Sequence, residues 1–455
     1  MVAEFQAIVL AAGRSSPLEQ LIQTPKPLLQ LGNFPLIYFP LQWLKKNGFE
    51  QVTVVVSRST KEDIFLALAP HFENDLEIDF FPIDDEYDYG TAESLRLLHK
   101  SKKLSTDLLV VTCDLISDLV LQDVANVFRM HNASLTAVYP RAAAVETVVP
   151  GAKSKKQHDR EIIGLEPSTN RLVCTASEAD FEESFAIYRR LLNRYSRLRI
   201  RTALQDSHIY LLKRWVLDLL TTNEKIKSLQ SELIPFLIKN QHRTKPLNGL
   251  TGEPEQSSVQ SQLNRIAAEK DLELLARDMS VWSDHGGDMK DSYFGNSVRC
   301  YAFLADTDLC FRVNTVTAFC EASRLLPRII QALLPVPASF RYVHPNATLI
   351  GKAQVGADSI VGERTVIQDK VSIKKSVIGP NCKISEKAKI SGCTIMNDVF
   401  IGESCNLQNC IIASQAQIGD KSDLKDCLVG QQFEVPVSSK HFSDTLTDGE
   451  RLMEY

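Results

Sequence analysis

"VIGPNCKISEKAKISGCTIMNDVFIG" (residues 377–402) sets Ile378, Ile384, Ile390, Ile395 and Ile401 at steps of six or five residues. Neither the 3.6-residue period of an α-helix nor the two-residue period of a strand produces that spacing. Read outward, the series begins at Ile350, Val355, Val361, Ile367 and Ile373 and ends at Leu407, Ile412, Ile418, Leu424 and Val429. Glycine often follows, at Gly351, Gly356, Gly362, Gly379, Gly402, Gly419 and Gly430. A hexapeptide period of this kind specifies a β-helix. Each repeat makes one side of a triangular coil, its aliphatic residue points inward, and glycine permits the corner. Fifteen inward positions, three to a turn, predict about five stacked turns. This reading places the β-helix at 343–432, with a C-terminal tail at 433–455.

Upstream the pattern changes. AIVL (7–10), QVTVVV (51–56) and DLLVVTCD (107–114) are short apolar runs, separated by amphipathic segments at Leu36–Asn47 and Thr91–His99. Buried strands alternating with helices predict an α/β domain with a parallel sheet covered on both faces. We bound it at 1–335, with the sheet resuming at SVRCYAFLA (297–305). Ligands of such sheets lie beyond the carboxyl ends of the strands, where Gly13 and Asp114 fall. Residues 150–160 read as a polar surface loop, and 241–262 as a disordered insertion of linker-like composition. "YRRLLNRYSRLRIR" (188–201) concentrates arginines, but it fits an amphipathic helix followed by a strand with one solvated face better than an RNA-binding strip.

Composition narrows the function. The 455 residues exceed one typical domain, and a net charge of -5 argues against non-specific nucleic-acid binding. The first residues lack a basic secretory n-region, and no apolar run reaches membrane-spanning length. The ten cysteines form no paired CxxC motif, so reduced thiols and a cytosolic location are expected, with no metal and no cofactor.

Several motifs then converge. "LAAGRSSPL" (10–18), "TPKPLL" (24–29), "YGTAESL" (89–95), "VTCDLISD" (111–118), "IIGLEP" (162–167) and "VNTVTAFCEASR" (313–324) precede the repeats in that order. Together they resemble the sugar-phosphate nucleotidyltransferases: a Rossmann-like nucleotidyltransferase domain followed by a left-handed parallel β-helix. Active members hold a nucleoside triphosphate for attack by a sugar phosphate, using placed cations and backbone donors against accumulating charge. The resemblance makes Gly13 a phosphate-approach position, Lys26 a phosphate-facing cation, Gly90 and Thr91 a base-contacting turn, and Asp114 a magnesium ligand. From its pattern alone, Asp114 serves equally well as a turn cap. Three positions break the family pattern. The loop's second glycine is Ser15, and its arginine is Pro17, which also lacks a backbone N–H. The second metal aspartate is Arg312. Two unit charges about 4 Å apart interact by about 4 kcal/mol at an effective dielectric near 20, so exchanging anion for cation disfavours metal-assisted transfer. Arg312 leaves open a metal-free attraction of phosphate.

"TAESLR", "CDLISD", "SELIPFLIKNQ" (231–241) and "RVNT" carry a narrower resemblance, to the gamma-type subunits of translation initiation factor 2B. It implies a non-catalytic subunit, without catalytic residues, in a guanine-nucleotide exchange complex. The partners implied are the other subunits, especially epsilon, with initiation factor 2 as substrate and no membrane or nucleic acid. The alternative, an active GDP-mannose or ADP-glucose type pyrophosphorylase, must accommodate Ser15, Pro17 and Arg312 together. A third reading, a weak nucleotide sensor, rests on Gly13, Lys26, Gly90, Thr91 and Asp114.

Overall fold

A computed structural model describes residues 4–13, 24–72, 76–85, 87–102, 104–141, 150–151, 161–178, 187, 189–195, 197–241, 298–306, 309–334 and 342–447. Ser15, Pro17, nearly all of the 150–160 loop and of the 241–262 insertion, and the last eight residues lie outside them.

Seven strands form the N-terminal sheet, in the order Cys300–Ala305, Leu135–Pro140, Tyr210–Leu212, Asp107–Thr112, Phe5–Leu10, Gln51–Ser57 and Glu77–Ile83. The runs seen in the sequence pair as parallel neighbours, Ile8 opposite both Val110 and Thr53. The sheet is not wholly parallel. Tyr210–Leu212 lies antiparallel between Asp107–Thr112 and Leu135–Pro140, a three-residue strand too short to leave a periodic signal. Side chains alternate strictly: Phe5, Ala7 and Val9 enter one core with helices Tyr38–Lys46 and Leu121–Met130, whereas Ile8 and Leu10 enter another with Thr91–Lys102 and Trp215–Thr222. The arginine-rich segment supplies a short helix, Arg189–Arg194, and a strand, Arg199–Arg201.

The C-terminal part is a left-handed β-helix of three parallel six-stranded sheets, hence six coils rather than five. It continues beyond residue 432 through Glu434–Val435, Lys440–Phe442 and Thr445–Leu446, so much of the expected tail is coil. The signal faded there because His441 takes an inward position that an aliphatic residue holds below it. At the other end the inward partner of Ile367 is Leu349, not Ile350. From Val361 to Val429 every inward position of the series is buried.

The corners correct the expectation about glycine. Left-handed backbone falls at Asn381, Lys387, Asp398, Ser404, Asn409, Lys421 and their equivalents, and of the glycines that follow the series only Gly351 adopts it. Those glycines answer a different need, close contact between coils. A Cβ on Gly362 would sit 2.5 Å from the Gly379 carbonyl carbon, and one on Gly402 2.7 Å from Asp420 N. Corner thiols and hydroxyls bridge coils too: Cys393 N–H donates to Ser376 Oγ (3.1 Å), and Cys382 Sγ to the Met396 carbonyl (3.0 Å).

The two parts share one core. Helix Val316–Leu333 lays Phe319, Leu326 and Ile330 in the same cluster as Ile360, Val377, Ile411 and Leu428 from the outer side of the third β-helix sheet. Burying each such side chain contributes about 1.5–3 kcal/mol. Gly151 adds a clasp on the later coils, donating to the Asp426 carbonyl (2.9 Å) and accepting from Thr445 Oγ1 (3.2 Å).

Candidate functional site

The carboxyl end of Asp107–Thr112 turns at Cys113–Asp114 before a short strand, Leu115–Ser117. The antiparallel partner of that strand, Cys310–Arg312, brings Arg312 opposite Leu115, and Val313 N–H donates to the Asp114 carbonyl (2.9 Å). The single helical turn Lys26–Leu28 follows the extended N-cap Pro25, carries Pro27 in its first positions, where a missing N–H costs nothing, and delivers Lys26 from the other side.

At the centre lies Asp114, fully buried. Lys26 Nζ donates to its Oδ2 at 2.7 Å, and Arg312 Nη2 donates to the same oxygen at 2.9 Å, with Nε 3.4 Å from Oδ1. Burial alone would raise the Asp114 pKa, but Arg312 and then Lys26 overcome it and hold the carboxyl well below its usual range. Burial likewise opposes the Arg312 charge, and Asp114 more than restores it.

The remaining Arg312 nitrogen, Nη1, donates to His208 Nε2 at 2.9 Å. Burial, then the Arg312 charge, pushes the ring down to about 3, so His208 is neutral and free to accept. Gln230 Oε1 lies 2.8 Å from the same nitrogen, where two acceptors form no hydrogen bond while Arg312 donates, and Gln230 Nε2 donates to Glu161 Oε1 on the other side. Glu161 accepts from Asp206 N–H (2.9 Å), and Asp206 accepts from Tyr210 O–H (2.6 Å) and His208 N–H (2.8 Å). Burial and then the Asp206 charge raise Glu161 to about 7; burial raises Asp206 to about 6.

Arg312 turns all three of its nitrogens toward Asp114 and His208, so its charge is set against Asp114 rather than against an outside phosphate. Lys26 shares the same carboxylate. The GTA turn is also closed on itself. Gly90 N–H donates to Glu93 Oε2 (2.9 Å), Ala92 N–H to the Lys227 carbonyl (2.8 Å), and Thr91 Oγ1 accepts from Leu229 N–H (2.8 Å). A side chain at Gly90 would meet the Lys227 carbonyl oxygen at 2.3 Å. Gly13 is exposed at the end of its described stretch, not joined to this cluster. Among the described residues, no group of three or more His, Cys, Asp or Glu side chains is placed to hold a metal ion. The sequence reading missed His208, Asp206, Tyr210, Gln230 and Glu161; for the first three the available signal was "DSHIY" (206–210), polar residues directly before an apolar strand, and for the other two there was none.

Comparison with known proteins fits this architecture. Residues 7–207 match the MobA-like NTP transferase domain, and 339–440 match the EIF2B subunit epsilon LbH domain. The chain is 30% identical to the translation initiation factor eIF2B subunit gamma of Schizosaccharomyces pombe, across 81% of this chain and 74% of that one. To the Dictyostelium discoideum gamma subunit it is 27% identical, across 82% and 87%. A mannose-1-phosphate guanyltransferase of Pichia angusta is 25% identical over 35% of this chain and 43% of that one. The extended matches are to gamma subunits, and those to guanyltransferases are shorter. With two domains, their order and one of these relatives all agreeing, the chain belongs to the eIF2B gamma-subunit family.

Proposed function

We propose that this chain is a non-catalytic, scaffolding and regulatory subunit of a guanine-nucleotide exchange complex that returns translation initiation factor 2 from its GDP-bound to its GTP-bound form. Its principal partner is an epsilon-type subunit; an epsilon subunit of Dictyostelium discoideum is 20% identical over 218 residues. The observation that carries the non-catalytic reading is the pairing of Asp114 with Lys26 and Arg312. A nucleotidyltransferase needs that carboxylate for a divalent ion and that lysine for a phosphate, whereas here each neutralises the other. Gly13, Lys26, Gly90, Thr91 and Asp114 are vestiges of a nucleotide site on this reading, and Ser15, Pro17 and Arg312 mark its loss. The 1–335 and 343–446 parts then act as one platform. Purified chain, given nucleoside triphosphates, hexose 1-phosphates and magnesium, releases no pyrophosphate above background. Saturable, protein-dependent release would refute the reading.

A further inference from the structure

One β-helix face is built from strands Gln354–Val355, Ser372–Lys374, Lys389–Ser391 and the three strands stacked after them. Its first three coils and their corners expose Lys352, Lys370, Lys374, Lys375, Lys387 and Lys389. Among the described residues of these coils and corners, Asp358, Asp369 and Glu386 oppose them; Asp358, in the corner after Gln354–Val355, pairs with Arg328 (3.2 Å), and Asp369 accepts from Lys352 N–H (2.7 Å) and lies 3.9 Å from Lys370 Nζ. Among the described residues, Lys374, Lys375, Lys387 and Lys389 make no ion pair. Lys370 and Lys387 occupy equivalent left-handed corners of successive coils, about 4.8 Å apart along the stack. Like charges at that spacing repel, and a bound anion relieves the repulsion.

The rest of the face restricts what that anion is. Between the lysines of these three coils stand Gln354, Ser372 and Ser391, with no aromatic, arginine or large aliphatic side chain; the exposed Phe442, beneath Lys425, stands three coils further on. Folded partners dock through apolar and aromatic anchors, and lysine is depleted at such interfaces. Nucleic-acid surfaces add arginine and stacking aromatics, which these coils do not offer. We infer that this face docks an extended Asp- and Glu-rich segment of a partner polypeptide, held by charge with little burial. The inference is independent of whether the nucleotidyltransferase pocket is silent.

The test is fluorescence anisotropy of a labelled alternating Glu-Asp peptide of about 20 residues against the full chain, at about 50 and about 200 mM salt. Binding is expected at the lower salt, weakening at least tenfold at the higher. K374E/K375E/K387E/K389E should lose at least tenfold in affinity with an unchanged urea transition, while K227E/K239E, on the other domain, should lose none. If the fourfold variant unfolds, K374Q/K389Q replaces it, with a loss of about threefold expected from two fewer charges. Absence of binding by the wild-type chain, or equal binding by the reversed variant, overturns the inference. So does tighter binding of a single-stranded or duplex RNA of equal length that is lost on the same reversal.

Discussion

Arg312 has 13% of its side chain exposed, and its guanidinium donates in three directions. Truncating it strands Asp114 on a single remaining cation and leaves His208 without its donor. Removing one member of a buried, hydrogen-bonded charge cluster typically costs about 3–5 kcal/mol. Arg312→Leu should therefore lower stability by about that much in urea unfolding, and Asp114→Asn similarly. The double variant should cost clearly less than the sum, because the second change removes a group already stranded. Additive losses would mean that the pair does not interact. The sequence made Arg312 and Asp114 legible because each sits in an aligned motif. It could not show that they would meet, since 197 intervening residues and two separate strands bring them together. Nor could it show His208, Gln230 and Glu161, which belong to no motif and matter only through their neighbours.

At the level of elements, the β-helix was the most legible part, because thirteen consecutive inward positions from Val361 to Val429 recur at five- or six-residue steps in the linear chain. What the spacing could not reveal is the reason for glycine. A position that needs left-handed backbone and one that needs the space of a missing Cβ look identical as the letter G. The structure separates them: Gly392 has φ +67 with only Asn409 atoms at 3.9 Å, whereas Gly402 lacks positive φ and faces Asp420 at 2.4–2.9 Å. Gly392→Asn, a residue that tolerates the left-handed region, should change stability by less than about 1 kcal/mol. Gly402→Ala should cost about 1–3 kcal/mol through forced separation of two coils. Urea midpoints of the two variants check this, and equal effects would contradict the distinction. The antiparallel strand Tyr210–Leu212 was invisible for the opposite reason: three residues carry too little pattern to outweigh their context.

Across the whole molecule, the boundary near residue 340 separates two folding patterns but not two cores. Val377, Ile411 and Leu428 pack against Leu326 and Ile330, so neither part can be exposed without uncovering apolar surface of the other. All three tryptophans, Trp43, Trp215 and Trp282, precede the β-helix, and five cysteines from Cys382 to Cys427 lie within it. Urea unfolding followed by tryptophan fluorescence and by thiol alkylation should accordingly give coincident transitions. A β-helix whose thiols react well before the fluorescence changes would show that the shared surface does not couple the parts. Domain order was readable from the sequence because each half has its own periodicity. Their fusion was not, because Ile360, Val377 and Leu428 face outward from a repeat whose period describes only inward residues.

The internal counter-ions of Asp114 have one more effect. Many pockets descended from catalysts tighten only when their metal or cosubstrate arrives, and their stability then rises and falls with supply. Here two tethered side chains provide that neutralisation permanently. The shape around Asp114 should therefore stay the same in a starved cell and a well-fed one.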